Sequence, residues 1–307
     1  MTRISSFGQS NLLLQNTLRN QERLFIAQEQ ITTGKKASSF QELSPKVQES
    51  LSARQTRAAI GTFRTTIQSI RQTIGIYDTQ LTTVTNATRD LKEAMVIAVG
   101  QEDGTGFRAQ IEQAFELVTS ALNTRLNGNF IFGGAQIDQP PVSVATLADL
   151  QALPTSDDAF QNDGAKSTAL IAEGIEFTFG QVADDVADEI MASFRRLADF
   201  DTGPSGPFDG KLTPAQRAFL ETEIGNIEQA IQKAQSAQTR NGLNSNRLDV
   251  VDEQHAASEL FIEQLVSDIE DVNLAEAISR LTQDQTALEA SFQAIGTLSR
   301  LSLLNFL

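Results

Sequence analysis

Few residues in this chain have the type and spacing that chemistry needs. His255 is its sole histidine. It lies between Gln254 and Ala256-Ala257 in a helical pattern, with Ser258 and Glu259 close by. Nothing around Ser258 has the G-x-S-x-G form of a nucleophile turn. The chain has no cysteine, which removes thiolate nucleophiles, thiolate metal sites and disulfides. One imidazole cannot build a zinc site of three or four ligands. Asp184, Asp185, Asp188 and Glu189 are the densest carboxylates, and could serve as an acid pair or a cation site. They lack the glycines and spacing of a calcium loop, and they open an expected helix, where acids suit the dipole. The glycines of 100–106 and Gly133-Gly134 fit turns, not a phosphate-cradling loop. Asn86-Ala87-Thr88 has the form of a glycosylation acceptor but falls within an expected helix. The residues therefore predict no catalytic group, no metal and no cofactor: a non-enzymatic protein.

The totals point the same way. The chain has 307 residues and a formal charge of -15, with a pI of about 4.5. Such a balance disfavours a nucleic-acid surface, which needs clustered Lys and Arg, and an anionic membrane surface. No apolar run approaches the ~20 residues of a membrane helix. No removable signal peptide is visible at the start. Residues 142–210 hold thirteen Asp or Glu against three Lys or Arg. The middle is acidic, whereas the ends are nearly neutral and apolar-striped, which suits packing.

The ends and the long middle segments must therefore carry the function. Residues 10–32 predict a helix with Leu14, Leu18 and Phe25 on one face and Leu24 and Ile31 widening the stripe. Gly34 is a left-handed cap, and Ser44-Pro45 starts the next helix. Residues 45–100 give the strongest periodicity. Ile60, Phe63, Ile67, Ile70, Ile74, Tyr77, Leu81, Val84, Thr88, Leu91 and Met95 recur at steps of three and four, the core line of a long helix. Residues 107–126 resume a helix, and Asn127-Gly128 turns into a short strand at Phe130-Ile131-Phe132. Thr168–Ile171 and Ile175–Phe179 read as a hairpin, Val182 to Phe200 as a helix. From Thr213-Pro214 a long helix returns, interrupted at Asp268–Asp271. The final stretch carries Leu274, Ile278, Leu281, Leu288, Phe292 and Ile295 in heptad register, then Leu298, Leu301 and Phe306.

The two halves mirror one another. The expected fold is mainly α: an elongated antiparallel helical rod, coiled-coil-like, with a small α+β insertion domain at its far end. Its parts are an N-terminal assembly helix (1–42) paired with a C-terminal one (271–307), rod halves 43–141 and 213–270, and an acidic insertion (142–212). A chain end this apolar is expected to meet the other terminal helix and neighbouring copies, making both terminal stripes a subunit interface.

Two segments carry a family likeness. Gln30-Ile-Thr-Thr-Gly34-Lys35-Lys36 and Asp268-Ile-Glu-Asp-Val-Asn273-Leu-Ala-Glu276 are similar to the "S-T-G-K/L" and "I-x-D-x-D-x-A-x-E" segments of the bacterial flagellin family. Over 1–140 and 213–307 the chain resembles that family. Asn123-Thr-Arg-Leu-Asn-Gly-Asn-Phe-Ile-Phe-Gly-Gly134 and Leu301-Ser-Leu-Leu-Asn-Phe-Leu307 look like its hook-associated branch. Gln41-Glu-Leu-Ser-Pro-Lys-Val stands where filament flagellins have "D-D-A-A-G-L-A". The resemblance implies a structural subunit joining hook to filament by polymerising through its terminal helices. It implies as partners hook-associated proteins, flagellin and copies of itself, and an export chaperone on the C-terminal helix. It also implies an extracellular place in the flagellum, reached by type III export without a cleaved signal. A filament-forming flagellin and a flagellin-like surface ligand-binding protein are the alternatives.

Overall fold

The computed structural model describes residues 2–39, 41, 43 and 46–304, without the side chains of 2–7, 9, 10 and 298–304. Ser44, Pro45 and Phe306 lie outside the described residues, as do the side chains of Leu298 and Leu301. The chain is mainly α, with two small two-stranded sheets among the described residues. In chain order the helices are α1 (Thr2–Thr33), α2 (Val47–Gln101), α3 (Phe107–Leu122), α4 (Leu147–Ala152), α5 (Ala183–Thr202), α6 (Pro214–Glu270) and α7 (Leu274–Leu304). The strands are β1 (Arg125–Leu126), β2 (Asn129–Phe130), β3 (Thr168–Ala172) and β4 (Ile175–Thr178). The chain divides into two compact units: Met1–Ala59 with Ala256–Leu307, and Ile60–His255.

The second unit has a main core cluster and a smaller second one. Ile60, Ile67, Ile70, Ile74, Tyr77, Leu81, Val84, Leu91 and Met95 are all buried along α2. Phe63 is half-buried and stacks on His255 with ring centroids 5.7 Å apart. α6 runs antiparallel beside α2: Arg64 pairs with Asp252 at 2.9 Å, Gln238 donates to Thr82 at 2.9 Å, and Lys92 pairs with Glu228. Helix α3 brings Ile111, Phe115, Val118 and Leu122 onto this core, and α5 adds Val186, Ile190, Phe194 and Leu197. Phe115 and Phe194 meet edge to face at 5.4 Å, a geometry worth about 1 kcal/mol beyond burial. Much of 142–212 thus shares this core with the helices around it; Val142, Val144, Leu150 and Phe208 belong to the same cluster.

Local chemistry sets the element ends. Thr213 and Gln216 form reciprocal side-chain bonds at the start of α6, a capping box. Gln216 Nε2 also donates to the carbonyls of Ser205 and Pro207, tying the preceding loop down. The expected strand at 130–132 is shorter in fact. Only Asn129 and Phe130 pair with β1, because Tyr77 Oη takes the Ile131 carbonyl and Phe132 is buried against the Tyr77 ring. The helix α4, with Thr146 and Asp149 as a capping box, was not legible as a periodic run because it is only six residues long. In the β3–β4 hairpin Ile171 and Phe177 point inward, against Ile67, Ile70, Ile74 and Leu248, while Leu170 and Glu176 pair on the exposed face.

Gly134 has a steric requirement. Its φ is +67°, and a methyl there would lie 2.2 Å from Asp163 Oδ1 and 2.6 Å from the Asp163 carbonyl. That carboxylate accepts from the amides of Ala135 and Ala165, knitting two loops together. Gly134→Ala is therefore expected to destabilise the chain by about 2–4 kcal/mol, read as a lower urea midpoint at unchanged slope. A midpoint equal to wild type would show that the loops part without cost.

Candidate assembly surface and the charge cluster beside it

Helices α1 and α7 pack antiparallel in the first unit. Asn20 Nδ2 donates to Ser291 Oγ at 3.2 Å, and Arg23 lies 3.7 Å from Asp284. Where the helices begin to part, Val272 N donates to the Gly34 carbonyl at 2.9 Å and Lys36 N to Glu270 O at 2.6 Å. Gly34 makes that crossing with φ +72°, as a left-handed cap should.

The packed faces coincide only in part with the large apolar ones. On α1 burial follows Leu13, Thr17, Asn20, Leu24, Ala27 and Ile31, at steps of four and three. On α7 it follows Ala277, Leu281, Asp284, Leu288, Ser291 and Ile295, with the same steps. Half of these side chains are small or polar; Thr17, Asn20, Ala27 and Ala277 are the buried members. Leu24, Ile31, Leu281, Leu288 and Ile295 are half-buried in this pair. Leu14, Leu18, Phe25, Leu274, Ile278 and Phe292 face outward, each between 50% and 65% exposed. Relative to the apolar line read from sequence, the seam on α7 is turned by roughly 50°, half of one residue's rotation. The residues that sequence reasoning missed, Thr17, Asn20, Ala27, Ala277, Asp284 and Ser291, do stand in heptad register. A search for large apolar side chains passes over them.

A charge cluster adjoins this pair. Glu270, the last residue of α6, is buried, and its carboxylate takes both Arg54 Nε (2.9 Å) and Nη2 (2.5 Å) and Ser50 Oγ (2.5 Å). Lys35 Nζ stands 3.6 Å away and pairs more closely with Asp271 at 2.5 Å. Ser267 Oγ donates to the other Asp271 oxygen at 2.7 Å. The Arg54 hydrogen bond, against the cost of burial, holds Glu270 down at about 2. Lys35 in turn holds Asp271 below the usual carboxylate range. A carboxylate depressed by folding stabilises the fold fully above its unfolded value, near 4.5, and loses that contribution as pH falls through its folded value. Because Arg54 is half-exposed, the contribution of Glu270 is about 2 kcal/mol, not the full shift. Stability is expected to fall by that amount between pH 4.5 and 2, and Glu270→Gln should flatten this part of the curve. An unchanged acid limb in Glu270→Gln would rule the clamp out.

His255, Asp184, Asp185 and Asp188 all have structural partners. His255 Nε2 donates to the Ile171 carbonyl at 2.7 Å, beneath the β3–β4 hairpin. Asp184 accepts from Asn162, Asp185 pairs with Lys166, and Asp188 with Lys233. Among the described residues no group of three His, Asp or Glu could hold a metal ion. No described helix is long and apolar enough to cross a membrane.

Paired terminal helices with an apolar outer face in one unit, and long antiparallel helices in the other, make this a mainly helical protein. Residues 4–137 match the bacterial flagellin N-terminal helical region and residues 224–307 the bacterial flagellin C-terminal helical region. Together these span well over half of the chain, which belongs to the bacterial flagellin family of structural flagellar proteins. Comparison with curated protein sequences finds no match. The fold is similar to that of a putative flagellar hook-associated protein from Vibrio parahaemolyticus, with TM-score 0.61 and 16% identity over 73% of this chain and 97% of that one. It is also similar to FlgL from Bacillus cereus, with TM-score 0.54 and 15% identity over 69% and 98%.

Proposed function

We propose that this protein is a structural subunit of the bacterial flagellum that joins hook to filament, assembling through α1 and α7. The carrying observation is the outward face of Leu14, Leu18, Phe25, Leu274, Ile278 and Phe292, uncovered within its own pair. Burying the exposed half of six such side chains between subunits contributes gross stabilisation of about 1 kcal/mol each. That offsets part of the cost of ordering the terminal segments. The likeness to a hook-associated fold over nearly all of that protein's length favours the junction over the filament proper. The role is structural, not catalytic, and needs no cofactor. Its partners are copies of itself and the neighbouring axial proteins of hook and filament. The protein leaves the cell by flagellar export without loss of its N-terminal segment, and a chaperone covers the apolar C-terminal helix beforehand.

Deleting the gene tests this. Cells should keep intact hooks and shed unpolymerised flagellin into the medium. Normal filaments on the deletion strain would overturn the junction role. Purified chain that elongates hook seeds into long filaments would instead make it a filament flagellin.

A further inference from the structure

Helix α6 carries a line that its own chain leaves largely exposed. Arg240, Leu243, Arg247 and Val250 recur at steps of three, four and three and are all exposed, Leu243 by 62% and Val250 by 54%. The Arg247 guanidinium stands 5.6 Å from the Phe177 ring. Among the described residues no carboxylate pairs with either arginine. The line is therefore basic and apolar at once, on a chain whose formal charge is -15.

The same compact unit holds a groove of the opposite character. It lies between α2 and α3 and measures about 320 Å³. Ala87, Ala94 and Ala114 line it, so another helix can come close to its floor. Ile97 and Leu117, 49% and 43% exposed, provide its apolar edge. Asp90 and Glu93 line it as well, and neither has a cationic partner among the described residues. The chain cannot fill this groove with its own α6 line. Asn241 donates to the carbonyl of Ile74, which fixes that line beside the turn of α2 around residue 74. The groove begins at Ala87, about 20 Å further along the same helix.

We propose that the Arg240–Val250 line of one subunit docks in the α2–α3 groove of a second copy. Arg240 and Arg247 would face Asp90 and Glu93, and Leu243 and Val250 would meet Ile97 and Leu117. The two patches differ, so the contact is head-to-tail and generates a ring or a helical array in place of a closed dimer. Charge complementarity sets which patch meets which, and the apolar side chains hold them. This inference rests on the assembly reading above, and uses a surface separate from α1 and α7.

The absence of native cysteine makes a clean test possible. Full-length Leu243→Cys and Leu117→Cys are produced together in cells lacking the native copy, and their flagella are isolated and oxidised. A disulfide-linked heterodimer is expected, with neither variant linking to itself when produced alone. Arg240→Glu in the first variant should lower the yield about tenfold, and Asp90→Arg in the second should recover it. Intact flagella containing both variants but no heterodimer would overturn the docking and leave the junction role standing. Equal self-linking of either variant would also overturn it, because a two-fold contact would then be present. Folded wild-type protein that never enters the flagellum would overturn the assembly reading, and this inference with it.

Discussion

Phe292→Asp is expected to leave the monomer folded and to prevent its incorporation into the flagellum. The side chain is 51% exposed on the outer face of α7, so the monomer loses little by the change. In a subunit contact the same position would bury a charge where an aromatic ring had been. That costs several kcal/mol, at least a hundredfold in association. Leu288→Asp is the control. Leu288 is half-buried on the seam side of α7, and a charge there is expected to part α1 from α7 in the monomer itself. Circular dichroism and thermal melting of the purified chains separate the two effects, and immunoblots of isolated flagella report incorporation. Phe292→Asp found in flagella at the wild-type level would remove the outer face from the assembly mechanism.

Glu270→Ala is expected to cost the fold about 3 kcal/mol. The substitution takes away a buried carboxylate that serves Arg54, Ser50 and Lys35 together. Three donors then lose an acceptor, two of them charged. Breaking such a pair from one side is more costly than removing both partners. Arg54→Ala added to Glu270→Ala should therefore lower stability by less than the two separate losses combined, with a coupling of about 1–3 kcal/mol in a double-mutant cycle. Denaturant unfolding of the four chains measures it. A coupling near zero would mean that the contact is an ordinary surface ion pair.

Much of this protein was readable in one dimension. The three-four recurrence from Ile60 to Met95 marked a long line along α2, which is buried except at the half-buried Phe63. Gly34, Gly128 and Gly174 stand at turns with positive φ, where the sequence placed breaks. The motifs around Thr33 and Asp268 led to the family. These features are legible because a helix or a turn is decided by neighbours a few residues apart.

The terminal pair was less legible. Its sequence shows large apolar side chains in heptad register, which reads as a seam. The tertiary structure turns that line partly outward and packs Thr17, Asn20, Ala27, Ala277 and Ser291 inside. Small side chains let two helix backbones approach, and the Asn20–Ser291 bond favours one register. Which of two adjacent faces turns inward depends on the shape of the opposing helix, hundreds of residues away in sequence. The Glu270 cluster has the same origin, joining Lys35, Ser50 and Arg54 across more than two hundred residues. The sequence by itself determined the helices, their breaks, the acidic middle and the family. Only the packing of distant segments decided which apolar face remains uncovered.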